Sequence, residues 1–486
     1  MISLKFIPLS FISSNDEIIK QIRNTVVFSH LFEANEETTL KSYVENTQYG
    51  FTASALENGS HKLLRITDIH HSKVDWKSVP FCDCSNEEKY LLEANDILVA
   101  RTGGTTGKSF FVENPPSNAV FASYLIRIRL KKDVNIEFIE AFLNSYCFWS
   151  QIVEMKSGSA QPNVNAEKLK KLVIPICDSD TQAKAVQFLH DANYSGIIGE
   201  KIKSVENLYW NNNEIKTEIE HQLGLVSQLR QAFLREAMQG KLVPQDTKDE
   251  PAEVLLEKIK AEKEKLIAEK KIKKQKPLPE IKPEEIPFEI PHNWDWCRLG
   301  NLADMCLGKM LDQIKNKGSM QPYLRNKNVR WGDFDLSDLK EMRFTEDEEE
   351  RFSAIYGDLI ICEGGEPGRA AIWKSKKPIK IQKAVHRVRT NKIGLQSEYL
   401  YYCILTDATS ERLKEYFTGS GIQHLTGKSL SKYVIPLPPL AEQKRIGEKL
   451  EKLTAFCDEL DLHSQESKTN AENLLQVALK EALEPK

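Results

Sequence analysis

The chain has 486 residues, of which 41% are hydrophobic and 28% are charged, and its formal net charge is −3. This composition is typical of a soluble globular protein with more than one domain. No apolar run approaches the roughly 20 residues that span a bilayer, and no signal-peptide core follows the N-terminus, so we expect a cytoplasmic protein. A nucleic-acid-binding protein with this charge must concentrate its basic residues locally or rely on a partner for positive surface.

The nine cysteines are odd in number, scattered, and without a CxxC pair. The one close pair, Cys82 and Cys84, is too isolated to indicate a zinc site. We therefore expect reduced thiols, mostly in cores, and no metal bound by this chain.

Short β-rich runs and helices share the first part of the chain. Residues 97–100, 109–112 and 124–130 are predicted strands, because Gly, Asn and Pro turns separate runs rich in apolar and β-branched residues. Residues 137–145 are a predicted helix, and so are residues 398–405 in the second half. The mixture indicates an α+β fold.

Two motifs in this region suggest chemistry that their context does not support. Residues 102–109, ThrGlyGlyThrThrGlyLysSer, nearly match a phosphate-binding P-loop. Thr102 stands where the motif requires glycine, and a predicted strand follows where a helix is needed. Residues 114–117, AsnProProSer, resemble a motif of amino-directed DNA methyltransferases, but Ser117 cannot stack on a flipped base. We favour a turn on a recognition surface for the first motif and a proline turn for the second.

Residues 181–238 are predicted to form one long helix. The stretch has no proline, and apolar residues recur every three or four positions, which indicates a single apolar stripe. Such a helix needs a partner along its stripe, because most helical stability comes from packing. The stripe includes Ile198, Ile202, Val205 and Tyr209.

Residues 441–483 show the same periodicity and are the candidate partner. Their stripe includes Leu474, Leu475 and Leu479. The letters at the two helix ends match, residues 229–238 with 474–483. By this alignment the first helix is longer by about 16 residues, roughly four turns. We therefore expect residues 200–216 to lie outside the paired stripe.

The segment between the helices is charged and punctuated by proline. Residues 258–276 carry nine lysines against three glutamates. A solvated helix face explains this run better than specific DNA contact, because basic tracts are common and unspecific.

The second half of the chain repeats the first at a constant offset, which indicates a duplication. Leu9 also aligns with Leu299. The matching blocks are residues 64–69 with 324–329 (325 − 65 = 260), 95–104 with 357–365 (358 − 96 = 262), and 172–175 with 433–436 (436 − 175 = 261).

Several blocks also carry a family resemblance. They are residues 158–165, 229–244, 249–263, 290–300, 419–423 and 435–446. In this order they closely resemble the specificity (S) subunit of type I restriction–modification systems. The block at 435–446, IleProLeuProProLeuAlaGluGlnLysArgIle, resembles that family's junction between a recognition domain and a helix. The first copy departs from it, with AspThrGlnAlaLys at 180–184 where the second has AlaGluGlnLysArg at 441–445.

The resemblance implies a pseudo-twofold architecture of two tandem-duplicated α/β target recognition domains joined by two long antiparallel, coiled-coil-like helices. The expected boundaries are residues 1–178 for the first recognition domain, 179–240 for the central helix, 241–290 for the linker, 291–438 for the second recognition domain, and 439–486 for the C-terminal helix. Each recognition domain is expected to read one half of a split DNA sequence.

The resemblance also implies partners and cofactors. The helices would act as a spacer and as a dock for two modification (methyltransferase) subunits, with restriction subunits in the larger complex. S-adenosylmethionine, ATP and magnesium would be used by those partners, including a DNA adenine methyltransferase and an ATP-dependent endonuclease, and not by this non-catalytic chain. Two alternatives remain open: a self-contained DNA methyltransferase or nuclease, and a coiled-coil scaffold without a DNA function.

Base reading needs forked or bifunctional side chains, Arg for guanine and Asn or Gln for adenine. Most protein–DNA hydrogen bonds go to the backbone, so each candidate is as well suited to phosphate as to base contact. The candidates are Arg65, Thr67, Arg101, Thr102, Thr105, Lys108, Gln161 and Asn163 in the first copy, and Arg325, Asn326, Asn328, Arg330, Arg369, Gln423, His424 and Lys428 in the second.

Overall fold

The computed structural model describes residues 15–70, 73–103, 105–156, 163–191, 195–269, 277–312, 314–390 and 394–483. The chain forms two compact units. Unit 1 contains residues 1–219 and 466–486, and unit 2 contains residues 220–465. In the part of the chain described, no helix is long and apolar enough to cross a membrane.

Unit 1 is an α+β unit in which mostly antiparallel strands lie against helices. Its strands are β1 (Glu37–Thr39), β2 (Val44–Tyr49), β3 (His61–Leu64), β4 (Ile69–His70), β5 (Lys73–Val74), β6 (Phe81–Cys82), β7 (Ile97–Ala100), β8 (Ser109–Phe111), β9 (Ala119–Phe121), β10 (Leu125–Leu130) and β11 (Val173–Pro175). Its helices are α1 (Asn15–Ala34), α2 (Ile136–Leu143), α3 (Tyr146–Lys156), α4 (Ala166–Lys170), α5 (Ser179–His190) and the first part of α6 (Gly196–Met238).

Unit 2 repeats this plan. Its helices are the end of α6, α7 (Ala252–Ala268), α8 (Leu299–Leu302), α9 (Ser397–Thr409), α10 (Gly427–Lys432) and most of α11 (Leu440–Leu483). Its strands are β12 (Asp295–Arg298), β13 (Ala303–Leu307), β14 (Ser319–Leu324), β15 (Lys340–Phe344), β16 (Ser353–Ala354), β17 (Leu359–Cys362), β18 (Ala370–Ile372), β19 (Ile379–Ile381), β20 (Val385–Thr390) and β21 (Val434–Leu437).

The main sheets of the two units have the same topology. The main sheet has the order β2-β10-β7-β8 in unit 1 and β13-β20-β17-β18 in unit 2. A parallel pair stands beside each, β3 with β9 and β14 with β19. Every residue of β7 and β17 is buried, as expected for strands covered on both faces. The duplication inferred from the constant offset is therefore confirmed.

Each main sheet carries the same buried ion pair. Arg129 Nε donates to Asp96 Oδ1 at 2.7 Å, and Arg389 Nε donates to Asp358 Oδ1 at 2.8 Å. Both aspartates are only 2% exposed. Because removing one partner would leave an uncompensated buried charge, these arginines belong to the scaffold.

The long helices pair within each unit. In unit 1, Ile202 and Tyr209 of α6 share a core with Leu475 and Leu479 of α11. In unit 2, Arg230 forms ion pairs with Asp458 and Asp461, each at 2.9 Å. Further along α6, Leu234 and Met238 share a core with the earlier α11 residues Leu450 and Ile446. The paired segments in unit 2 therefore run antiparallel, as expected.

Three expectations about the long helices were wrong. The helix expected over 181–238 is two helices, because Asp191 leaves the helical conformation after α5 and Gly196 begins α6 at a φ of +74°. The 43 residues of α6 then nearly equal the 44 of α11. Residues 200–216 are therefore paired: Asn212 Nδ2 donates to the carbonyl of Ala471 at 2.8 Å. Leu474, expected in the stripe, is exposed.

The alignment of Leu9 with Leu299 was also misplaced. Leu9 lies outside the described residues. The amide of Leu299 donates to Tyr433 O at 2.8 Å, and in unit 1 the amide of Leu40 makes the equivalent bond to Leu172 O at 2.7 Å. Leu40 is therefore the counterpart of Leu299.

Leu479→Ala is expected to destabilise unit 1 by about 2–5 kcal/mol, because it removes a 2% exposed side chain from the core. Hydrogen–deuterium exchange of α1 and α3 in moderate urea measures the change. The control is Leu474→Ala on the same helix, which is 67% exposed and should change stability by less than about 0.5 kcal/mol. Equal effects of the two substitutions would contradict this packing.

Candidate nucleic-acid interface

Three loops of unit 2 meet at one end of its sheets. They are residues 325–330 after β14, residues 363–369 between β17 and β18, and residues 418–428, which run into the first turn of α10; together they form the three-loop surface of unit 2. Asn326 Nδ2 donates to Gly364 O at 3.2 Å, and the amide of Leu425 donates to Glu363 O at 2.8 Å. The three loops are thus tied into one surface.

The arginines of this surface are held by neighbouring acids. Arg325 Nη2 lies 2.9 Å from Asp338 Oδ2 and also donates to the Asp338 carbonyl at 2.8 Å. Arg369 Nη1 donates to Glu366 Oε2 at 2.6 Å. Hydrogen bonds from Arg325 and Lys340 hold the pKa of Asp338 below its ordinary value, so this carboxylate is ionised at neutral pH. The guanidinium groups are therefore oriented before any ligand arrives.

Arg369 also ties two of the loops together. Its Nη2 donates to Asn326 O at 2.8 Å, in addition to its bond to Glu366. Trp331 Nε1 donates to the other oxygen of Glu366 at 2.9 Å. Arg330, which is half-exposed, lies 3.2 Å from Asp335 Oδ2. Of the three arginines, Arg330 has the most exposed side chain.

Gln423, His424 and Lys428 are exposed on the third loop. The backbone of His424 pairs with Thr418 in both directions, with each N–H···O bond at 2.8 Å, so the loop is held without using the imidazole. A Cβ at Gly364 would lie 2.9 Å from His424 Nδ1. Glycine at 364 therefore makes room for the imidazole beside the second loop.

Asn328 does not belong to the reading surface, although the sequence pattern suggested it. It is 1% exposed. Its Oδ1 accepts from the Arg325 amide at 3.0 Å, and its Nδ2 donates to the carbonyls of Asp335 and Asp338 at 2.9 and 3.2 Å. With these bonds made inside the loop, Asn328 shapes the surface without being available to a ligand.

Unit 1 builds the corresponding surface from residues 65–68, 101–103, 105–108 and 163–165. Thr102 and Asn163 form an antiparallel bridge, and the Val164 amide donates to Arg101 O at 2.9 Å. The guanidinium of Arg101 lies over the Tyr49 ring, 4.9 Å from its centroid. The face of the ring attracts the positive charge of the guanidinium and so holds it in place. The second and third loops of unit 1 are therefore joined through their backbones, and the second and third loops of unit 2 are joined in the same way.

The other candidates of unit 1 lie on the turns of this surface. Arg65 forks onto Asp68, with Nε to Oδ2 at 3.0 Å and Nη2 to Oδ1 at 2.7 Å, and Thr67 is exposed on the same turn. Thr105 and Lys108 close the β7–β8 turn through a backbone bond of 2.9 Å. Gln161 lies outside the described residues.

The β7–β8 turn is also the segment that resembled a P-loop. Strand β8 begins at Ser109, directly after the turn, so the helix that a P-loop requires does not follow it. Gly107 has a φ of +96°, and a Cβ there would lie 3.0 Å from the Trp149 ring. This glycine therefore serves the close packing of the turn on α3.

The two surfaces have the same backbone bonds but different side chains. The bond from Val164 to Arg101 in unit 1 corresponds to that from Leu425 to Glu363 in unit 2, and the Ala100-to-Lys108 bond corresponds to Cys362-to-Arg369. Asn163 thus stands where unit 2 has His424, and Lys108 stands where it has Arg369. One backbone scaffold carries two sets of contact groups.

Several groups at these surfaces were not among the sequence candidates. Asp338 and Glu366 hold the arginines, and Tyr49 lies under Arg101. Glu366 lies only three residues before Arg369, so that pair was open to sequence reasoning, whereas Asp338 and Tyr49 are distant in sequence from the arginines they contact. Tyr124 is 65% exposed, and its carbonyl accepts from the Arg101 amide at 3.0 Å; an aromatic residue at the start of the predicted strand 124–130 was the available signal.

The His, Cys, Asp and Glu side chains of the described residues show whether a metal site is present. Among the residues that the structure describes, no group of three or more His, Cys, Asp or Glu side chains could hold a metal ion. The donors and acceptors of both surfaces instead project from loops, the usual arrangement for recognition on a rigid scaffold.

A family model described as "Type I restriction modification DNA specificity domain" matches residues 31–207 and 291–467. The chain is 33% identical over 254 residues to the type I restriction enzyme EcoAI specificity subunit of Escherichia coli, covering 48% of this chain and 41% of that protein. It thus spans about two-fifths of that relative's length. The EcoBI specificity subunit of E. coli is 21% identical and matches over 98% of this chain and 90% of its own length.

A solved chain from a study of complex assembly and conformational transition of the type I R-M system has a similar fold. Its TM-score is 0.55 at 16% identity, and the match covers 92% of this chain and 97% of that chain. The likeness supports the duplicated architecture across nearly the whole chain.

Asn328→Ala is expected to lower the stability of unit 2 by about 1–3 kcal/mol, because the Arg325 amide and the Asp335 carbonyl lose the hydrogen-bond partner that the buried Asn328 side chain supplies. Urea unfolding followed by exchange of β14 and β15 amides measures the loss. Lys327→Ala is the control: its side chain is 67% exposed, and its weak ion pair is worth at most about 1 kcal/mol. A loss for Asn328→Ala no larger than the control's would place Asn328 back among the reading candidates.

Proposed function

Because the chain belongs to the type I restriction modification DNA specificity family, we propose that it is the sequence-specific DNA-binding specificity subunit of a type I restriction–modification complex. It reads a bipartite site, with one recognition domain for each half. The observation that carries the proposal is a surface of three loops in each unit, with the same backbone bond between its last two loops and different side chains at equivalent positions. Two copies of one scaffold with unlike contact groups suit two half-sites of unlike sequence.

We assign residues 1–178 and 291–438 as the two reading domains. Their candidate contacts are the loop side chains described above, without Asn328. Arg and Lys bind guanine O6 and N7, Asn and Gln bind adenine, and Thr contacts either bases or the thymine methyl group. Cations such as Lys108 and Lys428 are equally suited to phosphate, which takes half or more of protein–DNA hydrogen bonds.

Because the net charge is −3, the positive potential that attracts DNA must come from basic residues clustered on the recognition surfaces. In unit 2, Arg325, Arg330 and Arg369 are each within 3.2 Å of an acid. Binding exchanges those acids for base edges or phosphates. Because the guanidinium groups are already ordered, less side-chain entropy is lost on binding than for free arginines.

The helices α6 and α11 are proposed to act as the spacer between half-sites, whose separation is near one turn of DNA, or about 10 bp. They are also proposed to dock two modification (methyltransferase) subunits. The complex would include restriction subunits, and these partners would use S-adenosylmethionine, ATP and magnesium. The chain itself would supply recognition and not catalysis, in line with the naming of its relatives as specificity subunits.

Alanine replacements on one surface are expected to relax only one half of the recognised motif. The unit 2 variant replaces Gln423, His424 and Lys428, and the unit 1 variant replaces Thr105, Lys108 and Asn163. Each should reduce discrimination in its own half-site by about tenfold or more, the amount that one good base contact supplies. Methylome sequencing of cells that carry the cognate partners measures both half-sites at once.

Each variant serves as the control for the other. A motif unchanged in both variants would refute the assigned surfaces, and a change in both halves from one variant would refute the division between units. Methyl transfer by the purified chain alone, with S-adenosylmethionine and DNA, would instead support a self-contained methyltransferase.

Lys428→Ala is expected to make DNA binding less dependent on salt. If Lys428 contacts phosphate, the slope of log Kobs against log[salt] should fall in magnitude by about 1. Fluorescence anisotropy of the complex across a salt series measures the slope. Lys449→Ala, an exposed lysine of α11 in the same unit, is the control and should leave it unchanged. Salt-independent binding by the wild-type complex would contradict DNA contact through phosphates and favour a scaffold.

A further inference from the structure

Two glutamines occupy equivalent buried positions where a helix leaves each recognition domain. Gln182 lies in the first turn of α5 and is 3% exposed, and Gln443 lies in the first turn of α11 and is 0% exposed. Their separation (443 − 182 = 261) is that of the duplication. A fully buried amide has to make its hydrogen bonds inside the protein, because an unmade bond is costly.

The two glutamines make two corresponding hydrogen bonds, and Gln443 makes a third, to Gly394. Gln443 Oε1 accepts from the Gln396 amide at 2.9 Å, and its Nε2 donates to the carbonyls of Pro438 and Gly394 at 3.0 and 2.9 Å. Gln182 Oε1 accepts from the Asn135 amide at 2.9 Å, and its Nε2 donates to Cys177 O at 2.8 Å. Gln396 and Asn135 are the N-cap residues of α9 and α2. Each glutamine therefore joins the chain just before its own helix to the start of a helix within the domain.

The residues around the glutamines differ between the copies. Residues 180–184 read AspThrGlnAlaLys, and residues 441–445 read AlaGluGlnLysArg, so the shared letter is the glutamine. Apolar packing alone would accept leucine or methionine of similar volume here. A glutamine supplies a donor and an acceptor with fixed directions, and a satisfied buried polar group specifies one arrangement of its neighbours.

The two helices continue differently beyond the glutamines. Helix α11 is unbroken from Leu440 to Leu483, and its residues from 466 onward belong to unit 1. Helix α5 ends at His190, and α6 begins separately at Gly196. An anchor at Gln443 thus acts on a helix that contributes to both units, whereas an anchor at Gln182 acts on a short helix that stays within unit 1.

We propose that Gln443 is a positioning residue for DNA recognition: it fixes the direction in which α11 leaves the second recognition domain and thereby the spacer length that the protein accepts. The inference rests on the proposed function, since it presumes a bipartite site. Gln182 makes matching contacts but acts on α5, so it has little influence on spacing.

The test compares wild type, Gln443→Met and Gln182→Met, each assembled with the cognate methyltransferase subunits. DNA duplexes carry the half-sites found for the wild type, with the natural spacer or a spacer one base pair longer or shorter. Gln443→Met removes the hydrogen bonds and keeps the volume. Its preference for the natural spacer over the altered spacers should fall by about three- to tenfold, which corresponds to the net free energy of about one hydrogen bond that holds α11 in its orientation.

Single-base changes within the half-sites should be discriminated as in the wild type, because the reading loops are untouched. Gln182→Met should retain the wild-type spacer preference, although it loses equivalent hydrogen bonds. A loss of stability alone would weaken binding to all duplexes equally, so the spacer ratio separates positioning from a structural role. Gln443→Glu keeps the acceptor for Gln396 and carries the test if the methionine variant does not fold.

An unchanged spacer ratio in a folded Gln443 variant would overturn the inference, and so would an equal change in Gln182→Met. If the wild-type complex showed no bipartite site, the proposed function itself would fail.

Discussion

Backbone hydrogen bonds between loops are the constraint on which the recognition surfaces depend. Loop amides and carbonyls need partners, and here they find them in other loops, as in the bonds from Val164 to Arg101 and from Leu425 to Glu363. Since these bonds use no side-chain atoms, residues such as Asn163 and His424 differ without disturbing the loop beneath them. This explains how one fold, duplicated within a chain, can carry two unlike sets of contact groups.

The same requirement separates scaffold arginines from reading arginines. Arg129 and Arg389 lie in the main sheets and neutralise aspartates that are 2% exposed. Those aspartates also accept backbone amides, Asp96 from Glu93 and Asp358 from Ile355, at 2.9 and 2.8 Å. These buried networks hold the strands and turns that lead into the loops. Arg325 and Arg330, by contrast, pair with acids at the surface, where a ligand can replace the acid.

Sequence reasoning predicted the elements whose signals are local. The strand expected at 97–100 is β7, and the helix expected at 137–145 is α2, one or two residues displaced at its ends. The duplication followed from a constant offset. The break before Gly196 was missed because the apolar periodicity continues on both sides of it, although a SerGly pair at 195–196 was a visible signal.

Other features depend on contacts that a single sequence does not display. The burial of Asn328 follows from the carbonyls of Asp335 and Asp338, which return to it from the far side of a turn. The pairing of residues 200–216 follows from where α11 ends, and the anchoring of Gln443 follows from the start of α9. The residue type suggested that Asn328 contacts DNA, but the side chain instead makes hydrogen bonds to the backbone of its own loop.

Net charge and ion pairing together shape how this chain would discriminate among DNA sequences. A strongly basic protein gains most of its affinity from phosphates, whatever the sequence. Here the net charge is −3 and the arginines of the unit 2 surface are already paired, so under the proposed function this chain adds little nonspecific attraction and each arginine must exchange an acid for its ligand. That exchange is favourable where the new partner offers a better-placed pair of acceptors, as guanine does in the major groove. Under the proposed function, the acids beside the arginines therefore lower affinity for all DNA and raise the contrast between matched and unmatched half-sites.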